Sequence, residues 1–322
     1  MIFRELFVAV VTIVIISLLP LFVHSSSPGG GENASYSNKN LLNQPVSLID
    51  VAPRYGRALI AELELGKLHV FELNTMGQFD LLKTIEISIG KEGIGKEVEG
   101  DNKTPIGVYR IESYLTQAQL DDFYGHAAYP INYPNASDRL HQRTGHGIWL
   151  HGEPMGNFDK TRPFLDSNGC IVMSNNEIDE LRQYLDVGYT YIVSTPKMKM
   201  TSASAIKTLR EKIYTRLYGW EKAWESKNSK RYLSYYSTSF NNLKQDFTAW
   251  SSYKKRVNGS KRFIDVSFSD VGIYAYPNEE NLYWVEFYQS YRSSNFKSSG
   301  WKRQMWRRDL DGELRIIYEG GG

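Results

Sequence analysis

The chain has 322 residues, 41% hydrophobic and 23% charged, with a net charge of +2. The length predicts two domains and the composition a soluble globular protein with true cores, while the near-neutral charge gives no reason to expect nucleic acid. Its one cysteine, Cys170, excludes an intramolecular disulfide and any multi-cysteine metal site.

The first element is "LFVAVVTIVIISLLPLFV", Leu6 to Val23, an apolar run of 18 residues behind Arg4. A Ser/Gly-rich stretch follows it. Such a segment is a cleaved signal peptide or an N-terminal membrane anchor, and either one exports the rest. Residues 1–25 are assigned to it and 26–55 to a linker and lead-in. In an oxidising compartment an unpaired thiol is either buried and inert or kept for chemistry.

Two short strands are predicted between Arg57 and Leu73, around a Gly66-Lys67 turn. Further strands are predicted over Phe79–Gly90 and in "GVYRI" from Gly107. The segment "GDNKTPIGVYRI", Gly100 to Ile111, places turn residues ahead of that last strand. Phe123 to Gly145 forms a long polar insert, of a length that often carries function. "GIWLH", Gly147 to His151, is a buried strand. The first clear helix is "SNNEIDELRQYLDVG": Ser174 or Asn175 caps it, Ile178, Leu181 and Leu185 share a face, and Gly188 stops it. "TYIVSTP" returns as a strand. Residues 56–197 therefore read as a mostly β domain with one helix directly after the cysteine.

Residues 206–322 form a second, α+β unit. A long helix with Leu209, Ile213, Leu217, Trp220 and Trp224 on one face is followed by a shorter helix in "FTAWSSYKKRV" and by four strands. The unit holds 21 Lys and Arg against 13 Asp and Glu, and six of the seven tryptophans. Trp284, Tyr288 and Trp301 are candidates for a glycan or peptide pocket; the competing assignment is a sheet core and a homodimer surface.

The chemistry concentrates in residues 145–181. His151 ends a buried strand, which would point it into a cleft with its backbone fixed. Cys170 follows Gly169 and precedes a helix start, where backbone N–H groups favour negative charge. A thiol attacks a carbonyl only as thiolate, and a neighbouring histidine is the usual way to make one. No His and carboxylate cluster has metal-ligand spacing. "GIGK" at Gly93 to Lys96 lacks the length and ending of a phosphate-binding loop. No metal or organic cofactor is expected.

"HG…SNGC", with fifteen residues between His151 and Ser167, resembles the signature of the YkuD family, the L,D-transpeptidases of bacterial cell walls. "GDNKTPIGVYRI" resembles that family's upstream segment. The resemblance covers Arg57 to Pro196 and implies a β-sandwich. It also implies roles: Cys170 as nucleophile, His151 as base, and the Gly152 carbonyl orienting the imidazole. Gly169 and Cys170 N–H groups would hold the oxyanion, with Ser167 bracing the turn. His151 is expected to lower the thiol pKa from about 8.5 into the range of roughly 3.5 to 7.5.

Two positions depart from the pattern. Asn168 replaces a second histidine, and Val172 an arginine. Arg143 and Arg162 are candidates to replace the lost cation. His146 is a candidate for a substrate or supporting role, and His126 and His141 of the insert for lining the groove.

The implied substrate is the tetrapeptide stem of peptidoglycan. Attack at its third residue expels D-alanine, and the thioester passes to an amine, giving a 3-3 cross-link or an attached lipoprotein, or to water, giving a tripeptide. Transpeptidation is the leading expectation and L,D-carboxypeptidation the alternative; a non-catalytic wall-binding scaffold is the reading from another class. The C-terminal element order resembles the cone-like nuclear-transport-factor-2-like fold, with a long helix on a curved antiparallel sheet. A YkuD domain joined to it resembles cell-shape-determining enzymes.

Overall fold

The computed structural model describes residues 43–52, 54–156 and 162–321. The apolar run assigned as signal or anchor, and most of the linker, lie outside them. Among the described residues no helix is long and apolar enough to cross a membrane.

Three apolar cores stack between four layers. The central layer is a five-stranded sheet of order β4-β3-β2-β9-β5, built from β2 (Arg57–Glu62), β3 (Lys67–Leu73), β4 (Phe79–Glu86), β5 (Gly107–Arg110) and β9 (Tyr191–Thr195). β2 reads as an unbroken apolar run because both its faces are covered. Leu59 and Ala61 enter one core, Ala58 and Ile60 another.

The first of these cores lies against a smaller sheet containing β6 (Ala127–Pro130), β7 (Trp149–His151) and β8 (Ile171–Val172). β6 falls inside the insert that the sequence presents as a polar loop. Its Ala127, Ala128 and Tyr129 are buried, and a short, small-residue strand gives little periodic signal. A short helix, α1 (Ala136–Leu140), follows it. The helix after the cysteine, α2, is shorter than the periodicity suggests: it spans Asn175–Leu181, tightens into a 3-10 turn, and leaves Leu185 extended. Ser174 is its N-cap, accepting from the Glu177 N–H at 3.2 Å.

The accessory domain is a curved sheet of order β13-β12-β11-β10-β1. Four strands come from the C-terminal region: β10 (Ile264–Ala275), β11 (Leu282–Ser293), β12 (Lys297–Arg308) and β13 (Leu314–Gly321). The fifth, β1 (Leu48–Asp50), comes from the segment read as lead-in. Helices α3 (Ala203–Glu225), α4 (Ser229–Leu233) and α5 (Phe247–Gly259) cover one face, with Trp220, Trp224, Phe287 and Trp306 in the core between them.

The other face of that sheet packs on the mostly β domain. Leu48, Ile60, Tyr191 and Val193 meet Tyr274, Trp284, Met305 and Tyr318 in one core. The Tyr191 hydroxyl donates to the Glu286 carboxylate, which Arg303 also engages at 2.8 Å. The contact is an apolar layer with this one ionic group inside it. Trp284, a pocket candidate from sequence, is 1% exposed in this layer. Trp284→Ala should therefore lower stability by about 3–5 kcal/mol. Because β1 belongs to the accessory sheet, both domains should lose structure in one calorimetric transition; two separated transitions would contradict this packing.

Candidate active site

Strand alternation sets the site's two faces. Leu150, Ile171 and Met173 point into the core. β7 and β8 run parallel with Leu150 opposite Ile171 and His151 opposite Val172. Trp149, His151 and Cys170 therefore emerge on the other face, Cys170 aligned with Trp149 and so two positions along from His151.

The His151 Nδ1 donates to the Gly152 carbonyl at 2.7 Å. A carbonyl only accepts, so this contact puts the proton on Nδ1 and leaves the Nε2 lone pair free. Gly152 is packed so closely on the Asn175 side chain that a Cβ there would collide with Asn175 Oδ1. Asn175 in turn accepts from the His126 N–H at 3.0 Å and donates to the Glu153 carbonyl at 2.9 Å. The tautomer is thus fixed by helix α2.

The thiol turn is held from both sides. Ser167 Oγ donates to the Cys170 carbonyl at 2.7 Å and accepts from the Gly169 N–H at 3.1 Å. Thr104 Oγ1 accepts from the Gly90 N–H at 2.9 Å and donates to the Gly169 carbonyl at 3.0 Å. The segment "GDNKTPIG" thus acts through Thr104 as the far wall of the turn. Of the two oxyanion donors expected here, the Gly169 N–H is already committed to Ser167. The Cys170 N–H has no acceptor among the described residues, so the pair reduces to one free donor.

An aromatic wall that sequence reading missed surrounds the imidazole. Tyr124 sits edge-on at 5.1 Å and Phe123 lies at 6.2 Å, while Tyr124 also meets Trp149 at 4.8 Å. Phe123 and Tyr124 form part of a 3-10 turn at the start of the insert, and single aromatics in a turn carry no periodicity to flag them.

Two cations act on the thiol. Arg162, nominated from sequence, is clamped by the buried Glu153, both of whose carboxylate oxygens lie 3.2 Å from its Nε, and its guanidinium lies 5.4 Å from the centre of the Phe123 ring. Lys96, not nominated, is buried and paired with Asp101 at 2.7 Å. Burial alone would raise the Asp101 pKa, but Lys96 and three backbone N–H groups bring it to about 2.

The remaining candidates lie elsewhere. Arg143 is held at 3.1 Å by the fully buried Asp138 rather than free to face substrate. His141 caps α1 through the Ser137 carbonyl at 2.8 Å, and His126 pairs with Asp179 on α2 at 2.7 Å. His146 is 82% exposed at the rim, 3.4 Å from Glu99. Asn168 is exposed beside the thiol.

The electrostatics reverse one expectation. Burial pushes the Cys170 thiol up, outweighing the Trp149 N–H and the fields of Arg162 and Lys96 that pull it down. Burial also brings His151 down to about 4, against the Gly152 contact that raises it. Both shifts favour the neutral forms, and the thiol's contact with the Gly147 carbonyl at 3.5 Å agrees. Packing from distant segments, which local sequence does not display, supplies the desolvation.

Two measurements follow from this state. Iodoacetamide should label Cys170 more slowly at pH 7 than it labels an unstructured cysteine; faster labelling would restore the ion pair. Between pH 6.5 and about 4 the unfolded chain binds a proton that native His151 refuses. Stability should therefore fall with falling pH through that window, by about 3 kcal/mol for this group, and the His151 ring resonances should titrate near the lower end. A midpoint near 6.5 would contradict the burial argument.

Comparison with known proteins agrees with both domains. Residues 65–193 match the L,D-transpeptidase catalytic domain family, YkuD, and residues 212–320 match the Cds6 C-terminal NTF2-like domain. The putative L,D-transpeptidase YafK of Escherichia coli K12 is 33% identical over 109 residues, covering 34% of this chain and 39% of that protein. The chain thus spans well under half the length of this curated relative. Two solved structures match nearly end to end at 27% identity. Bd1075 of Bdellovibrio bacteriovorus has a TM-score of 0.72 over 87% of this chain and 98% of its own. The helical cell shape determining protein Pgp2 of Campylobacter jejuni has 0.70 over 88% and 97%. Residues 65–193 thus carry the likeness to a YkuD L,D-transpeptidase domain, and residues 212–320 the likeness to an NTF2-like domain.

Proposed function

We propose that the protein is an envelope enzyme that opens peptidoglycan tetrapeptide stems through a Cys170 thioester. The observation that carries this reading is the thiol turn set beside a histidine whose tautomer is fixed with Nε2 free. Cys170 Sγ attacks the carbonyl of the third residue as His151 Nε2 takes its proton. The tetrahedral oxyanion forms beside the Cys170 N–H, with Arg162 and Lys96 offsetting its charge. His151 then protonates the leaving D-alanine amine. Arg162, clamped in place, meets the stem's carboxylate and so stands in for the arginine that Val172 replaces.

An amine on a neighbouring stem, or on a lipoprotein, resolves the thioester into a cross-link or an anchor; this is the reaction that names the family. Water resolves it into a trimmed tripeptide. The near end-to-end likeness to a cell-shape-determining protein favours this second acceptor, because trimming removes the donors from which cross-links are made. Digestion of tetrapeptide-rich sacculi separates the two. Dimers with 3-3 links identify transpeptidation, and tripeptides without them identify trimming. Unchanged muropeptides would leave only the non-catalytic wall-binding reading.

A further inference from the structure

One end of the accessory sheet meets the mostly β domain through Tyr274 and Trp284, at the end of β10 and the start of β11. The opposite end faces away from that contact and carries a different surface. Three loops meet there: residues 226–228 after α3, residues 260–263 after α5, and the 294–296 turn between β11 and β12. Lys227 Nζ donates to the Lys261 carbonyl at 3.2 Å, Lys261 Nζ to Asn295 Oδ1, and the Arg262 N–H to Ser294 Oγ at 3.1 Å. Lys230 and Lys297 flank these loops, and Arg256 lies in the last turn of α5. None of these six cations is in an ion pair among the described residues. Arg292 is not one of them, because Asp265 neutralises it at 2.7 Å. Of the other acids at this end, Glu225 is engaged by Lys222 at 2.7 Å and Glu221 is buried. Two large apolar side chains break through the charged surface: Phe263 is 42% exposed and Phe296 56%.

We propose that this tip docks on a membrane surface containing anionic phospholipids, with Phe263 and Phe296 at the boundary between headgroups and acyl chains. The inference rests on the envelope location in the reading above but not on its chemistry. A lipid surface offers phosphates first and an apolar layer just beneath. Unpaired Lys and Arg are drawn to the phosphates, and exposed aromatic rings bury themselves at the boundary below. An acidic polymer in water meets only the first of these needs and leaves both rings exposed. A second copy of this chain presents the same positive charge, so tip-to-tip contact is repelled. The twelve residues of β10 span about 40 Å along the strand. A docked tip therefore holds the mostly β domain, and with it Cys170, away from the lipid.

The test places an environment-sensitive fluorophore on the tip of the full chain, through Ser298→Cys in a Cys170→Ala background. Ser298 is exposed and follows Lys297. The probe reports its own surroundings, so insertion of the apolar run at 6–23 does not produce the signal. Phosphatidylcholine vesicles holding about a third phosphatidylglycerol should brighten and blue-shift it saturably, and about 0.5 M salt should reverse the change. Pure phosphatidylcholine should leave it unchanged. Lys261→Glu with Arg262→Glu should raise the lipid needed for half saturation about tenfold or more. Lys230→Glu with Lys297→Glu, on separate elements, should do the same. Phe296→Ser should lessen the blue shift while keeping the salt dependence. With Cys170 restored, all these variants should release D-alanine from a soluble tetrapeptide at the wild-type rate. Absence of release by the wild type would sink the enzymatic reading and leave the vesicle result standing. No response to anionic vesicles, an equal response to neutral ones, or an unchanged response in both charge-reversed variants overturns the proposal. A response to sacculi in place of vesicles would give the tip to the wall polymer and overturns it as well.

Discussion

Cys170→Ala will remove D-alanine release from tetrapeptide muropeptides, by roughly ten-thousandfold or more, the scale set by loss of a covalent nucleophile. The fold should survive. The side chain reaches the surface in part, and its partners are the Gly147 carbonyl and the Trp149 N–H, so little packing is lost with the sulfur. The thermal midpoint should stay within a few degrees of wild type. Cys170→Ser will be almost as inactive, because a hydroxyl is a far weaker nucleophile and His151, already held down to about 4 by burial, is a poor base for it. A coupled assay for free D-alanine, run beside a thermal melt, reads both halves. Substantial release by the alanine variant would assign the reaction to another group.

Gly169→Ala will have the second largest effect, and on stability as well as rate. Gly169 holds φ at +116°, which an L side chain rarely adopts, and an added Cβ would lie 2.8 Å from the Lys103 carbonyl oxygen. That oxygen is backbone in a loop tied down by Asp101 and Thr104, so it yields only if the loop moves. The strain and the displacement together should lower stability by about 2–4 kcal/mol. They should lower kcat a hundredfold or more, since about 1 Å of misplacement at the thiol is enough for that. Thr104→Val is the milder comparison. It keeps the shape but leaves the Gly90 N–H and the Gly169 carbonyl without their shared hydroxyl, for about 1–3 kcal/mol. Urea unfolding and steady-state rates measure both variants. A Gly169→Ala protein as stable and active as wild type would mean that the turn is not held as described.

Much of this was legible in the chain because the deciding features are local. His151 and Cys170 sit at strand ends marked by apolar runs and glycines, and α3 announces itself through Ile213, Leu217 and Trp220. What was not legible depends on partners far away in sequence. β1 has three residues and no period, and its partner strand lies more than two hundred positions downstream. The importance of "GDNKTPIG" could be read, but not that Thr104 would reach Gly169. Lys96 looked like part of a failed phosphate-loop motif; only the fold shows it buried on Asp101 with its charge felt at the thiol. The sign of the Cys170 shift went the other way for the same reason. A histidine nearby in sequence suggests a thiolate, whereas the burial that pushes the thiol the other way is a property of the folded packing. Arg143 illustrates the converse, a loop arginine whose buried acid partner, Asp138, only the fold reveals.

The most direct test of the account is intact-protein mass spectrometry of the full chain mixed with a tetrapeptide muropeptide and quenched in acid before turnover completes. The account predicts a single adduct with the mass of the muropeptide less D-alanine, mapped by digestion to Cys170, released by hydroxylamine, and absent from Cys170→Ala. D-alanine release with no adduct on Cys170, or an adduct mapped to any other residue, would contradict it.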